Sequence, residues 1–405
     1  MFWPASAHAP AKRLLITRAL RGFADGVVSV ALAGYLSELG YAPTQIGAIV
    51  TSTLLGSAAL SLVAGLVGSR FDQRRLLLGA SLLMAATGLG FAGVTQFWPL
   101  LVVAFVGTLN PSAGDVSVFL PIEQALLAGS VTARERTQLF ALYNLSGAFA
   151  GALGALATGV PAWLALRAGM SLQLAYRATF ITYSVVAVIA ALIYLGFPAA
   201  VRGELSSIAP STRPLAQSRK IVLQLAALFS LDSFGGGFVV QSLLALWLFR
   251  RFDLSIEATG RVFFFTGLLA AGSQLVSSRL AARIGHIRTM VFTHLPANLC
   301  LMAAAFMPNA TLAIGLLLCR MALAQMDVPA RQAYVMAVVP PEERAAAASV
   351  TNIPRSLATA MTPLIAGVML EHSDTGWPLF AGGAIKVAYD LLLLTMFSRV
   401  KPLDE

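Results

Sequence analysis

Residues 65–75 read Gly-Leu-Val-Gly-Ser-Arg-Phe-Asp-Gln-Arg-Arg, and residues 278–288 read Ser-Arg-Leu-Ala-Ala-Arg-Ile-Gly-His-Ile-Arg. Each is a short basic break between two long apolar runs. The two are 213 positions apart (283 − 70), so that Arg70 meets Arg283, Arg75 meets Arg288 and, further up, Gly47 meets Gly260. A second register of 208 positions (343 − 135) brings Pro121, Gln124, Ala125, Glu135, Arg136, Asn144 and Gly159 onto Pro329, Gln332, Ala333, Glu343, Arg344, Asn352 and Gly367. The chain reads as one unit written twice.

Outward from these breaks, apolar runs recur near 14–38, 44–69, 75–94, 98–128, 136–163 and 172–197, then near 218–249, 255–282, 287–306, 310–338, 343–370 and 376–398. About 20 apolar residues make one helical crossing of a bilayer. Of the 405 residues 58% are hydrophobic and 11% charged, against about a quarter charged in soluble proteins, so a water-facing surface cannot be built. The expected fold is an all-α integral membrane protein of about 12 transmembrane helices in two pseudo-symmetric six-helix bundles. Residues 1–200 form the first bundle, the polar stretch 201–217 a cytoplasmic linker, and 218–405 the second. Internal duplication in a polytopic chain points to a transporter that alternates access by rocking its halves.

The net charge of +10 raises the possibility of nucleic-acid binding, but the basic residues are scattered over short loops without interleaved aromatics, and that partner is excluded. Their distribution gives topology instead. Seventeen Lys/Arg, from Lys12 and Arg13 through Arg213 to Arg399 and Lys401, fall on the side of the N-terminus, and three, Arg167, Arg250 and Arg251, on the other. Both termini are thus expected in the cytoplasm, in a multi-pass protein of a bacterial inner membrane. The N-terminus has no cleavable signal pattern. Cys300 and Cys319 fall within spans, and the four histidines have no ligand spacing, so no metal is expected. Gly88-Leu-Gly90-Phe-Ala-Gly93 lies in a membrane helix with no preceding strand, and no phosphate-binding Gly-x-x-x-x-Gly-Lys motif occurs. No cofactor is expected; the drive would be an ion gradient, the proton gradient first.

The loop at residues 65–75 resembles the hallmark of the major facilitator superfamily, G-x-L-A-D-R-x-G-R-K between helices 2 and 3. It keeps Gly65, Arg70 and Arg74, with Ser69 where the family has Asp and Asp72 where it has the second Gly. Residues 278–288 are its degenerate second copy. The resemblance implies twelve helices, transport of a small solute, action as a monomer within the lipid bilayer, and a cytoplasmic gate at Gly65, Arg70, Arg74, Glu135, Arg136, Arg283, Glu343 and Arg344. Gly147-x-x-x-Gly151-x-x-Gly154 is similar to the glycine motif of the family's antiporters, with Ala152 where they carry Pro. Close packing of small residues accounts for the same pattern.

A charge near the bilayer centre is costly unless paired or wet, so each is a site candidate. On the first span Arg21 and Asp25 are one turn apart, either a proton site or a static pair. Asp115 and Glu123 lie on the fourth span, and Asp232 and Gln241 flank Gly235-Gly236-Gly237 on the seventh, where a bend is expected. Asp327 and Arg331 share a face of the tenth; Arg331 is the repeat partner of Glu123, so the two either line a cavity or bridge the halves. Arg355, at the centre of the eleventh, replaces Gly147 of the first half and is the leading candidate to hold an anionic group. Lys386 and Asp390 are spaced for a local ion pair. The function expected is proton-coupled efflux of a drug, metabolite or organic anion, not an enzymatic reaction; a proton-coupled importer or facilitator is the alternative, and a non-transporting membrane sensor comes third. A membrane enzyme would need a His, Asp or Ser cluster at one surface, and none is visible.

Overall fold

The computed structural model describes residues 4, 8–67, 72–112, 118–128, 130–132, 135–197, 215, 217–340 and 343–398, without the side chains of 9, 65–67, 128, 136, 137, 166, 278 and 345. The described residues form sixteen helices: α1 (Ala9–Glu38), α2 (Pro43–Val67), α3 (Gln73–Gly93), α4 (Phe97–Val106), α5 (Phe119–Ala128), α6 (Arg136–Ala157), α7 (Gly159–Arg167) and α8 (Leu172–Leu195), then α9 (Arg219–Gly237), α10 (Gln241–Phe252), α11 (Ile256–Ile284), α12 (His286–Ala304), α13 (Ala310–Ala324), α14 (Asp327–Ala337), α15 (Arg344–His372) and α16 (Trp377–Phe397). Four consecutive pairs, α4/α5, α6/α7, α9/α10 and α13/α14, are single spans interrupted within their length, which resolves sixteen helices into twelve crossings, six in each half.

Among the described residues nine segments are long and apolar enough to cross a membrane, and Phe97–Val106 is a shorter apolar helix. The eighth and ninth spans, α11 and α12, have 29 and 19 residues but carry Glu257, Arg261, Gln274 and Arg279, and His286, Arg288, His294 and Asn298, respectively. A span hydrophobic all round presents apolar side chains outward to lipid, and Leu82, Trp98, Val102, Leu192 and Leu275 are among the large apolar side chains left exposed.

The sequence reads the fourth and tenth spans as continuous helices over 98–128 and 310–338; both are broken, at equivalent places. After the tenth span's break α14 starts at Asp327, and after the fourth's α5 starts at Phe119, so Pro121 and Pro329 each occupy the third helical position. A first-turn N–H needs no intrahelical acceptor, so Pro is accepted there, whereas inside an unbroken span it would remove a hydrogen bond and clash with the preceding turn. The break in the seventh span falls at Gly237, where α9 ends after the glycine run. Helix starts are fixed locally: the side chains of Asp72, Ser171 and Asn309 accept from the N–H groups of Arg74, Leu174 and Leu312, in the manner of N-caps.

The chain separates into two compact units, Met1–Ser207 with Leu254–Phe264, and Ile208–Asp253 with Phe265–Glu405. Most of the expected linker, 201–217, lies outside the described residues. In the first unit α1 crosses α6 backbone to backbone. A Cβ on Gly22 would strike the Gly147 carbonyl, one on Gly26 the Gly151 carbonyl, and one on Gly154 the Phe23 carbonyl. Of the antiporter-like motif Gly154 is therefore required by packing, while Gly147 lies against the Arg18 side chain and a Cβ on Gly151 would stand 3.4 Å from the Gly22 carbonyl. Lipid supplies no hydrophobic drive between helices, so close approach must hold them. In the second unit Val222, Leu225, Phe229, Met290, Tyr334, Tyr389 and Phe397 form a core shared by α9, α12, α14 and α16.

This crossing sets a prediction. Gly26→Val and Gly154→Val should each lower the thermal midpoint of the purified protein in detergent, by overpacking worth about 1–3 kcal/mol or more. Gly79→Ala, where an added Cβ meets nothing within 4 Å, should leave it unchanged.

Candidate functional site

Asp232, on α9 at the turn before the glycine run, is the focus of the second half. Lys386 Nζ of α16 donates to its Oδ1 at 2.6 Å, Arg331 Nη1 of α14 to its Oδ2 at 3.1 Å, and His294 Nε2 of α12 lies 3.7 Å from Oδ1. One carboxylate thus joins four helices. Arg331 also approaches Asp327, one turn before it, at 3.4 Å, and its guanidinium lies 5.5 Å from the centroid of the Phe229 ring. Behind Lys386, Asp390 is held by His294 Nδ1 at 2.9 Å and by Asn298 Nδ2 at 3.0 Å. The pair expected within the last span does not form: Lys386 turns to Asp232 on another helix, and Asp390 is satisfied by α12.

The first half has its own buried carboxylate. Glu123 on α5 is fully enclosed; it accepts from Arg21 of α1, from the hydroxyls of Tyr143 on α6 and Tyr194 on α8, and from Thr17 Oγ1 at 3.0 Å. The Arg21 guanidinium lies 4.0 Å from the centroid of the Phe119 ring, a cation–π contact that adds to the pair. Asp25 is half-buried one turn further along α1, and Asp115 lies outside the described residues. Glu123 and Arg331, repeat partners of opposite sign, are each paired inside their own half. The first span supplies the cation and the fourth the anion in one half; the seventh supplies the anion and the tenth the cation in the other.

Arg355 Nε donates to Ser233 Oγ at 3.1 Å, and its Nη1 to Asn352 Oδ1 at 3.2 Å. Gln241 is half-buried at the first residue of α10. Among the gate candidates, Glu343 accepts from the N–H groups of Gln217 and Ser218 at 3.0 and 3.1 Å and from the Ser218 hydroxyl. It thereby places a carboxylate at the positive N-terminal end of α9. Arg344 Nε reaches the carbonyls of Met336 and Val339 at 3.0 and 3.4 Å, closing the end of α14. Glu135 is the N-cap residue of α6 as Glu343 is of α15; Arg74 is half-buried and Arg283 exposed. Gly65 lies in α2, Arg70 lies outside the described residues, and so does the Arg136 side chain.

Sequence reasoning missed His294, Asn298, Tyr143 and Tyr194. His294 and Asn298, four apart on an apolar span, carried a signal of the same kind as the intramembrane charges. The tyrosines carried none, because an aromatic on a membrane helix is ordinary core.

Twelve crossings in two duplicated sets, each with an ion cluster enclosed by its own helices, define a membrane transporter. The chain belongs to the Major Facilitator Superfamily, whose model matches residues 14–363. It is 26% identical over 417 aligned residues to an uncharacterized membrane protein of Saccharomyces cerevisiae, YJR124C, covering 94% of this chain and 92% of that one. It is 25% identical over 379 residues to the multidrug efflux protein YfmO of Bacillus subtilis, covering 91% and 88%. In three dimensions it resembles the xylose transporter XylE from E. coli in an inward open conformation, with a TM-score of 0.75, 15% identity and 98% of both chains covered. It is a multi-pass secondary transporter that takes a small-molecule substrate.

The Arg21–Glu123 pair sets the second prediction. Glu123→Gln strands a buried guanidinium and should destabilise the protein by about 3–5 kcal/mol, whereas Glu123→Gln with Arg21→Met should recover most of the loss. Thermal unfolding in detergent reads both.

Proposed function

We propose that this protein moves its solute by alternating access coupled to protons, as an exporter in a bacterial inner membrane, with both termini cytoplasmic, working as a monomer without a cofactor. Asp232 carries the coupling half of this reading. Ionised, it anchors Lys386 at 2.6 Å and Arg331 at 3.1 Å. Protonated, it releases two buried cations that repel each other, so the packing of α9, α14 and α16 is linked to one proton. Two packings that differ in affinity for that proton are what coupling requires. His294 of α12 stands 3.7 Å away and packs into the same cluster. Asp25 and Asp115 are the first half's candidates for the same proton. Export is supported by similarity along nearly the whole chain to a multidrug efflux protein.

The test is a panel of solutes in proteoliposomes containing an internal pH dye. The wild-type protein should exchange a solute for protons, and Asp232→Asn should abolish accumulation driven by a pH gradient while downhill exchange of solute survives. If Asp232→Asn still accumulates solute, the coupling proton passes to Asp25 or Asp115, whose Asn variants are measured alongside. Survival of uphill transport in all three overturns proton coupling through these carboxylates, and uptake in symport with protons overturns export.

Topology is tested by labelling. With Cys300 and Cys319 replaced, Arg134→Cys and Arg213→Cys should react with an impermeant maleimide only from the cytoplasmic side, and Asp374→Cys only from outside. Asp374, between α15 and α16, pairs with Arg250 at the end of α10 at 2.7 Å, in keeping with the outward side to which the charge bias assigns Arg250. Reversed labelling would refute the orientation.

A further inference from the structure

The crossing of α1 and α6 has its repeat equivalent in α9 and α15, and there the chemistry is exchanged. In the 208-residue register Gly147, Gly151 and Gly154 become Arg355, Thr359 and Thr362. On the partner helix Gly237 faces these threonines, and a Cβ there would strike Thr362 and Thr359, whereas Gly235 faces Gly382 and Lys386 of α16. Thr359 Oγ1 bonds the Ser233 carbonyl at 3.2 Å, so the crossing is held without its glycines. The packing therefore does not need Arg355. The Arg355 guanidinium is carried by α15 itself, where in the other half Gly147 lies against the guanidinium of Arg18 from α1.

Its surroundings differ from those of the other paired cations. Arg21 has Glu123, Arg331 has Asp232 and Asp327, and Lys386 has Asp232. Arg355 has two neutral oxygens, those of Ser233 and Asn352, and no carboxylate in ion-pair contact among the described residues; Asp232 and Asp327 act on it only from further off. Of its five N–H donors, Nε and one of Nη1 are used, so the terminal edge that binds an oxyanion in bidentate fashion is open. Asn352 is exposed in the structure, and an amide at this depth faces a water-filled path more readily than lipid. Arg355 lies eleven residues into α15 (355 − 344) and seventeen from its end (372 − 355). At about 1.5 Å per residue that is roughly 16 and 25 Å of helix, too deep to snorkel to a lipid headgroup.

We propose that Arg355, oriented by Ser233 and Asn352, is the anion-recognition point of the transported solute, which makes the substrate class an organic anion bearing a carboxylate. This rests on the transport reading but is tested by binding, so the two can fail separately. Purified full-length protein is unfolded thermally with a panel of small carboxylates, their matched amides, inorganic phosphate and short-chain phosphatidic acid. At least one carboxylate should raise the midpoint where its amide does not. Arg355→Gln should weaken that carboxylate by about 30-fold or more, Arg355→Lys should keep part of the effect, and Ser233→Ala should weaken it on the order of tenfold relative to its own ligand-free midpoint. Protection by amides as well as carboxylates, by phosphatidic acid alone or by phosphate alone, or by no anion in the panel, overturns the proposal. So does carboxylate protection that survives both Arg355→Gln and Ser233→Ala. Flux of a neutral or cationic solute unaffected by Arg355→Gln would sink it while leaving transport intact.

Discussion

An ion inside a bilayer is stable only if an opposite charge meets it with good hydrogen-bonding geometry, because neither water nor a polar solvent is there to do so. Each half of this protein is arranged around one carboxylate that meets this condition. Glu123 gathers groups from α1, α6 and α8, and Asp232 gathers groups from α12, α14 and α16. Helices in lipid gain nothing from hiding apolar surface from one another, so these polar centres, with the glycine crossing of α1 and α6, do much of what a hydrophobic core does in a soluble protein. The tyrosines around Glu123 complete its shell; the shell around Asp232 contains a histidine instead.

The duplication has preserved geometry and altered chemistry. An ion pair links the first span to the fourth and, in the copy, the seventh to the tenth, with cation and anion interchanged. The glycine face of α6 reappears on α15 as arginine and two threonines, packed against Gly237 of α9. Both exchanges keep the fold, since a pair is satisfied in either polarity and a close crossing needs small residues on only one of its helices. The second half has thereby gained a cation with neutral hydrogen-bond partners and an anion shared between two cations, and the functional chemistry proposed above draws on this half.

The breaks in four spans serve the same arrangement. α5 and α14 each begin a few residues before a buried charged residue that is central to its half, Glu123 and Arg331, and each carries Pro in its first turn. Interrupted helices within a membrane are tolerated where the freed backbone groups are enclosed by protein. Thr108 lies in such a break: its N–H donates to Thr87 Oγ1 at 3.2 Å, and its carbonyl accepts from Tyr183 at 3.2 Å.

The amino-acid sequence by itself determined that this is a duplicated twelve-span membrane protein and which charges lie within the spans. Hydropathy runs and repeat identities are properties of composition and order that folding does not change. It marked the prolines of the broken spans and the glycine run of the seventh. Partnership was decided only in three dimensions. Spacing along one helix offered Asp25 to Arg21 and Asp390 to Lys386, yet the ion pairs formed lead from Arg21 to Glu123 and from Lys386 to Asp232, 102 and 154 positions away. His294 gained its place in the same way, from neighbours on α9 and α16. Helical periodicity fixes which face a side chain occupies, but which neighbouring helix meets that face is set by packing among spans far apart in the chain, and in a low-dielectric interior the best-placed opposite charge wins whatever its sequence separation.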